Sequence, residues 1–89
     1  MNDKVLSSLA NEVRLRLLLC LSNGEKNVTE LIGNCQLSQS AVSQHLEKLR
    51  LSGLVETRRN GKEIYYRLIN TKTAKISEDL LDYVEEMKK

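Results

Sequence analysis

At 89 residues the chain can hold one modest core, so we read residues 1–89 as a single domain; with 40% apolar residues and no Trp or Phe, that core must be Leu, Val and Ile. No stretch approaches the roughly 20 apolar residues of a membrane span, and the start Met1-Asn2-Asp3-Lys4 lacks the pattern of a signal peptide. Cys20 and Cys35 are too few for a disulfide framework, so a soluble protein of a reducing cytoplasm, with no membrane partner, is expected.

The net charge of +2 is unevenly spread: residues 1–37 sum to zero, residues 38–70 to +3 and residues 71–89 to −1. A basic middle third suits one surface to phosphates. A chain this small often gains stability by oligomerising, so a dimer is expected on size alone.

In chain order, Val5, Leu6 and Leu9 suggest a first helix near residues 2–10. Asn11 is an N-cap candidate for a Leu-dense second helix over Val13–Leu21, with Glu12 in its first turn and Asn23-Gly24 as its stop. Glu25 to Asn27 is too short for more than an edge strand. Val28, Leu31 and Ile32 mark a third helix ending near Asn34, and Cys35, Gln36 and Leu37 make a tight connection. Ser38 can cap a fourth helix with the apolar stripe Val42, Leu46 and Leu49, closed by Gly53. Leu54–Arg59 and Lys62–Leu68 flank Asn60-Gly61, a pair that favours a two-residue hairpin turn. Period two puts Ile64, Tyr66 and Leu68 on one face of the second strand. A last helix, near residues 73–87, carries Ile76, Leu80, Tyr83, Val84 and Met87 on one side, a face in need of a partner.

Helices three and four make a helix-turn-helix, and the basic hairpin that follows completes a winged one: mostly α, with five helices and a two-stranded wing. With Val42 pointing inward and about 100° per residue, Leu46 and Leu49 lie within about 40° of it, whereas Ser40, Ser43, Gln44 and Glu47 point at least about 100° away. Gln can pair bidentately with adenine and Ser can address several base edges or phosphates, so Gln39, Ser40, Ser43 and Gln44, with Lys48 beside them, form a candidate DNA-reading head. Arg58, Arg59 and Lys62 cluster around the hairpin tip, where cations can meet phosphates. Polar helix faces and charged tips are also ordinary solvated features, and a charged tip can protect a sheet edge. The two together at this separation in one chain are what favours DNA.

From Leu9 to Leu68 the chain resembles the ArsR/SmtB family of bacterial repressors, through Leu9-Ala10-Asn11-Glu12-Val13-Arg14-Leu15-Arg16, Leu37-Ser38-Gln39-Ser40-Ala41-Val42-Ser43-Gln44-His45-Leu46, Leu49-Arg50, Gly53-Leu54-Val55 and Gly61-Lys62-Glu63-Ile64-Tyr65-Tyr66-Arg67-Leu68. The resemblance implies a homodimer joined through its first and last helices, binding an inverted repeat in double-stranded DNA and leaving it when an inducer is sensed. It puts Gln39, Ser40, Ser43 and Gln44 on the DNA face and Arg58 to Lys62 against the backbone. His45 is family-typical, but at about 60° from the core direction it reads as a helix-packing residue rather than a base reader.

No inducer is named by the residues. At the family's thiolate metal positions stand Asn27 and Thr29, and at its last-helix site Asn70, Lys72, Tyr83 and Glu86, a poor set for zinc, so no metal or other cofactor is expected. A redox-sensing branch of the family is similar through Leu37 to Leu46, but here Ile32 follows Glu30-Leu31 and the last helix has no cysteine. Cys20 and Cys35 therefore have two readings: small buried apolar residues, or a redox pair, which would require Cα atoms within about 7 Å. No nucleophile with a matched base and no phosphate loop supports catalysis, so the chain is not expected to be an enzyme. The alternative to a DNA-binding regulator is a winged helix that serves only as a protein-interaction module.

Overall fold

The computed structural model describes residues 3–88 except Gln36, and not the side chain of Cys35. The expected helix start at residue 2, the Gln36 connection and the side chain of Cys35 thus lie outside the described residues. The elements run α1 (Asp3–Leu9), α2 (Glu12–Cys20), a 3-10 turn (Leu21–Asn23), β1 (Lys26–Asn27), α3 (Val28–Cys35), α4 (Gln39–Leu51), β2 (Val55–Asn60), β3 (Glu63–Leu68) and α5 (Lys72–Met87). This is a winged helix-turn-helix, with α3 and α4 as the motif and β2–β3 as the wing.

Local chemistry sets the helix ends. The Asn11 side chain accepts from the Arg14 amide at 3.1 Å to start α2, and the Ser38 hydroxyl accepts from the Ala41 amide at 3.2 Å to start α4. Gly53, with φ 82°, ends α4 in the left-handed conformation open to glycine. The start of α3 is a reciprocal cap that the hydrophobic spacing did not announce. The Asn27 side chain accepts from the Glu30 amide at 2.8 Å, while the Glu30 carboxylate accepts from the Asn27 amide at 3.0 Å.

Leu17, Leu18 and Leu21 pack with Leu31 of α3, Val42, Leu46 and Leu49 of α4, and Leu54 and Val55 at the root of the wing, all buried. Each helix of the motif thus seats an apolar stripe on α2, which fixes the aim of α4's other face. The sheet order is β1-β3-β2, antiparallel throughout, so the short edge strand extends the wing to three strands at its base. Two expectations shift. Asn60 pairs with Glu63, so the turn residues are Gly61 and Lys62, not Asn60 and Gly61. Gly61, at φ 65°, takes the first loop position, where both favoured two-residue turns need positive φ. Along β3, Tyr66 and Leu68 pack on the core, but Ile64 lies beyond the body's reach and is exposed.

α5 meets α2 through small residues: Thr73 and Ser77 are buried, Leu80 and Val84 are half-buried, and Ile76, Tyr83 and Met87 face outward. Its apolar stripe is therefore not what packs on its own core. An ion pair from Lys88 Nζ to Glu12 Oε1 at 2.9 Å ties the end of α5 to the start of α2.

Candidate nucleic-acid interface

Burying Val42, Leu46 and Leu49 turns Gln39, Ser40, Ser43, Gln44 and Lys48 into solvent. All five are exposed, and among the described residues their side chains make no hydrogen bond or ion pair. Glu47 shares this exposed surface but is paired with Arg50 one turn on, through a hydrogen bond that holds its carboxyl below the usual range. The negative charge on the helix is thereby locally offset. Tyr66 of β3 lies half-buried near that pair; burial first, and then the Glu47 carboxylate, raise its phenol above the ordinary value, with Arg50 opposing.

Gln39 at the start of α4 and Lys62 at the wing turn line one groove, together with Thr29, Ile64 and Tyr66. The first turn of α4 and the tip of the wing thus border the same open surface. The three cations of the wing are not equivalent, however. Cross-strand pairing puts Arg59 beside Ile64 on the face that carries Tyr66, and puts Arg58 beside Tyr65 on the opposite face. Arg59 and Lys62 are exposed and make no ion pair among the described residues. Arg58 is engaged by Glu25 through Nε–Oε2 at 3.1 Å and a second contact from Nη2, and its guanidinium lies 5.2 Å from the Tyr65 ring centroid. Of the three cations expected at the tip, Arg58 is thus paired with Glu25, while Arg59 and Lys62 are exposed without an ion pair among the described residues.

His45 lies on the side of α4 that turns back toward the body and is half-buried. Arg14 Nη1 sits 3.3 Å from its Nδ1, while the same guanidinium donates from Nε to the Ser8 carbonyl at 2.8 Å and from Nη2 to the Ser7 carbonyl at 3.0 Å. Burial, and then the Arg14 charge, hold the imidazole below its ordinary value of 6.5. His45 is a packing residue in this geometry. Arg14 is the buried cation behind it, with partners that no local sequence pattern links to it.

Asn27, at the first of the two thiolate metal positions, is spent on capping α3 and donates from Nδ2 to Glu63 at 3.3 Å. On α5, Glu78, Asp79 and Asp82 bring ligand oxygens within 4.8 Å of one another, but all three are exposed and Lys75 pairs with Glu78 and Asp79. Cys20 closes α2 half-buried against the core.

Residues 11–57, from the cap of α2 into β2, match the family model described as bacterial regulatory protein, arsR family. The chain belongs to the ArsR family of bacterial regulatory proteins. Among curated relatives, this ArsR-family chain is 46% identical over 67 residues to the transcriptional activator HlyU of Vibrio cholerae, covering 75% of this chain and 62% of the relative. It is also 46% identical over 72 residues to the biofilm growth-associated repressor of Xylella fastidiosa, covering 81% and 63%. The chain thus spans just under two thirds of the length of these relatives. Solved structures agree in fold. HlyU of Vibrio cholerae superposes with a TM-score of 0.76 at 43% identity, covering 86% of this chain and 84% of that one. A Mycobacterium bovis domain described as a homodimeric winged helix-turn-helix DNA-binding domain gives 0.78 at 30% identity, covering 96% and 79%. No described helix is long and apolar enough to cross a membrane.

Proposed function

We propose that this ArsR-family chain is a sequence-specific, double-stranded DNA-binding transcriptional regulator that acts as a cytoplasmic homodimer, and that it is not an enzyme. The observation that carries this reading is the face of α4: Gln39, Ser40, Ser43, Gln44 and Lys48 are exposed without partners among the described residues, and Gln39 lines one groove with Lys62 of the wing turn, beside which Arg59 is also exposed. This surface has hydrogen-bonding capacity and positive charge, and the described residues use neither. Placed in a major groove, α4 offers bidentate amides and hydroxyls to base edges, while the wing tip meets phosphates.

The dimer is assigned to α1 and α5, where Leu6, Ile76, Tyr83 and Met87 are exposed. A two-fold axis there would set two α4 helices in successive major grooves, about 34 Å apart, on an inverted repeat. We assign repression by occlusion of polymerase, the sign carried by the name of the Xylella relative. The reading needs no metal or other cofactor.

Fluorescence anisotropy with genome-selected and random DNA over a salt series tests the proposal. Selective binding, with log affinity falling linearly as log salt rises, is expected. Equal, weak binding to both DNAs would make the chain an interaction module instead. The same titration on reduced and mildly oxidised protein tests Cys20 and Cys35. Loss of selective binding on oxidation would make them a redox pair, and unchanged binding would leave them as packing residues.

A further inference from the structure

The two faces of the wing have different uses. β1, β3 and β2 align Lys26, Tyr66 and Thr57 on one face and Asn27, Tyr65 and Arg58 on the other. The first face carries Tyr66 onto the core and borders the groove shared with Gln39. Arg58 therefore looks away from the proposed reading helix. Glu25, just before β1, meets it there: one carboxylate engages both Nε and Nη2 of Arg58, across the width of a sheet ordered β1-β3-β2, with the Tyr65 ring against the guanidinium.

Such a contact has work to do at this place. Beyond Val55 and Glu56, β2 is exposed, and a two-stranded ribbon is marginally stable on its own. Most surface ion pairs contribute little because two long side chains must be ordered to make them. Here the guanidinium is met at two nitrogens and lies against an aromatic ring, the geometry in which ordering is retained. The Glu25 side chain is only 33% exposed, against 49% for Arg58. Asn27 adds a second tie on the same face by donating to Glu63. Among the described residues, no comparable tie reaches Arg59 or Lys62.

We infer that Glu25 is a positioning residue for the wing: it holds Arg58 as a strut behind the sheet, so that Arg58 sets the pose of the ribbon while Arg59 and Lys62 are the cations presented to DNA. This rests on the DNA-binding reading above. It divides three neighbouring cations by role, with one bracing the ribbon and two meeting phosphate.

The test is a charge swap, Glu25→Arg with Arg58→Glu, which keeps both the net charge and an ion pair at the site. The swapped protein is expected to bind selected DNA within about threefold of the unaltered protein and with the same salt slope, whereas Arg59→Gln lowers the slope by about one unit. A swap that loses about one unit of slope and at least tenfold in affinity would place Arg58 on a phosphate and overturn the inference. Amide hydrogen exchange in β2 and β3, measured without DNA, reads the strut itself. Glu25→Gln and Arg58→Gln should each speed exchange in the wing severalfold, and the swap should restore it. Equal rates in all variants would overturn the strut. If the unaltered protein binds no DNA, the DNA reading falls, and the exchange rates still decide whether the strut exists.

Discussion

Arg14 shows what a single side chain does in this fold. α1 is short; the Arg14 guanidinium takes the carbonyl of Ser8, shares that of Ser7 with the Ala10 amide, and brings a cation to the negative end of the helix. It also touches His45, so one side chain joins α1, α2 and α4. Its partners are 6, 7 and 31 residues away, which is why no local pattern announced it. Arg14→Met keeps the bulk but strands the Ser8 carbonyl, while the Ser7 carbonyl keeps the Ala10 amide at 3.2 Å. The substitution should cost about 1–3 kcal/mol in a denaturant titration. A loss below a few tenths would contradict the linking role. His45 adds a pH dependence. Its folded-state value lies below 6.5, so the unfolded chain binds the proton more readily. The resulting stability is fully present above the unfolded value and is lost as pH falls through the folded one. Melting temperature should therefore fall on acidification from about pH 7 to 5, and His45→Gln should flatten that decline. The carboxyls of Glu12, Glu25 and Glu47, held below 4.5 by Lys88, Arg58 and Arg50 respectively, lose their share only at lower pH.

Elements whose limits are written in neighbouring residues could be read directly. Asn11 and Ser38 cap α2 and α4, Gly53 ends α4, and the Val42, Leu46 and Leu49 stripe fixes which residues α4 exposes. The same stripe made the exposed candidates on α4 legible, because one helix has only one opposite face. The Asn27–Glu30 cap has the spacing of a capping box, but Asn27 also closes a brief strand, so the pattern alone does not single it out as a cap. What escaped depends on register or on distant partners. Asn60-Gly61 and Gly61-Lys62 are both competent turn pairs, and only the alignment of Val55 with Leu68 and of Asn60 with Glu63 selects the second. The proposed division among Arg58, Arg59 and Lys62 rests on that register and on Glu25, 33 residues before Arg58. Gly61→Ala should cost about 1 kcal/mol, because φ 65° is strained for any residue with a Cβ. An unchanged unfolding midpoint would contradict the left-handed conformation at Gly61.

At the scale of the molecule, one helix serves two surfaces. α5 packs on α2 through Thr73 and Ser77 and turns Ile76, Tyr83 and Met87 outward, close to the exposed Leu6 on α1 only in chemistry and not in sequence. Tyr83→Glu would put a charge in the proposed dimer face and should yield monomer in sedimentation equilibrium at concentrations where the unaltered chain is dimeric. A dimer undisturbed by it would move the interface elsewhere. The core needs only one face of α4, and the other is the face proposed to read DNA. The most direct test is the affinity of Gln44→Ala for selected and for random DNA, measured at one salt concentration. A loss of about 1–3 kcal/mol on selected DNA and almost none on random DNA is expected. Equal losses on both, or no loss on either, would contradict it.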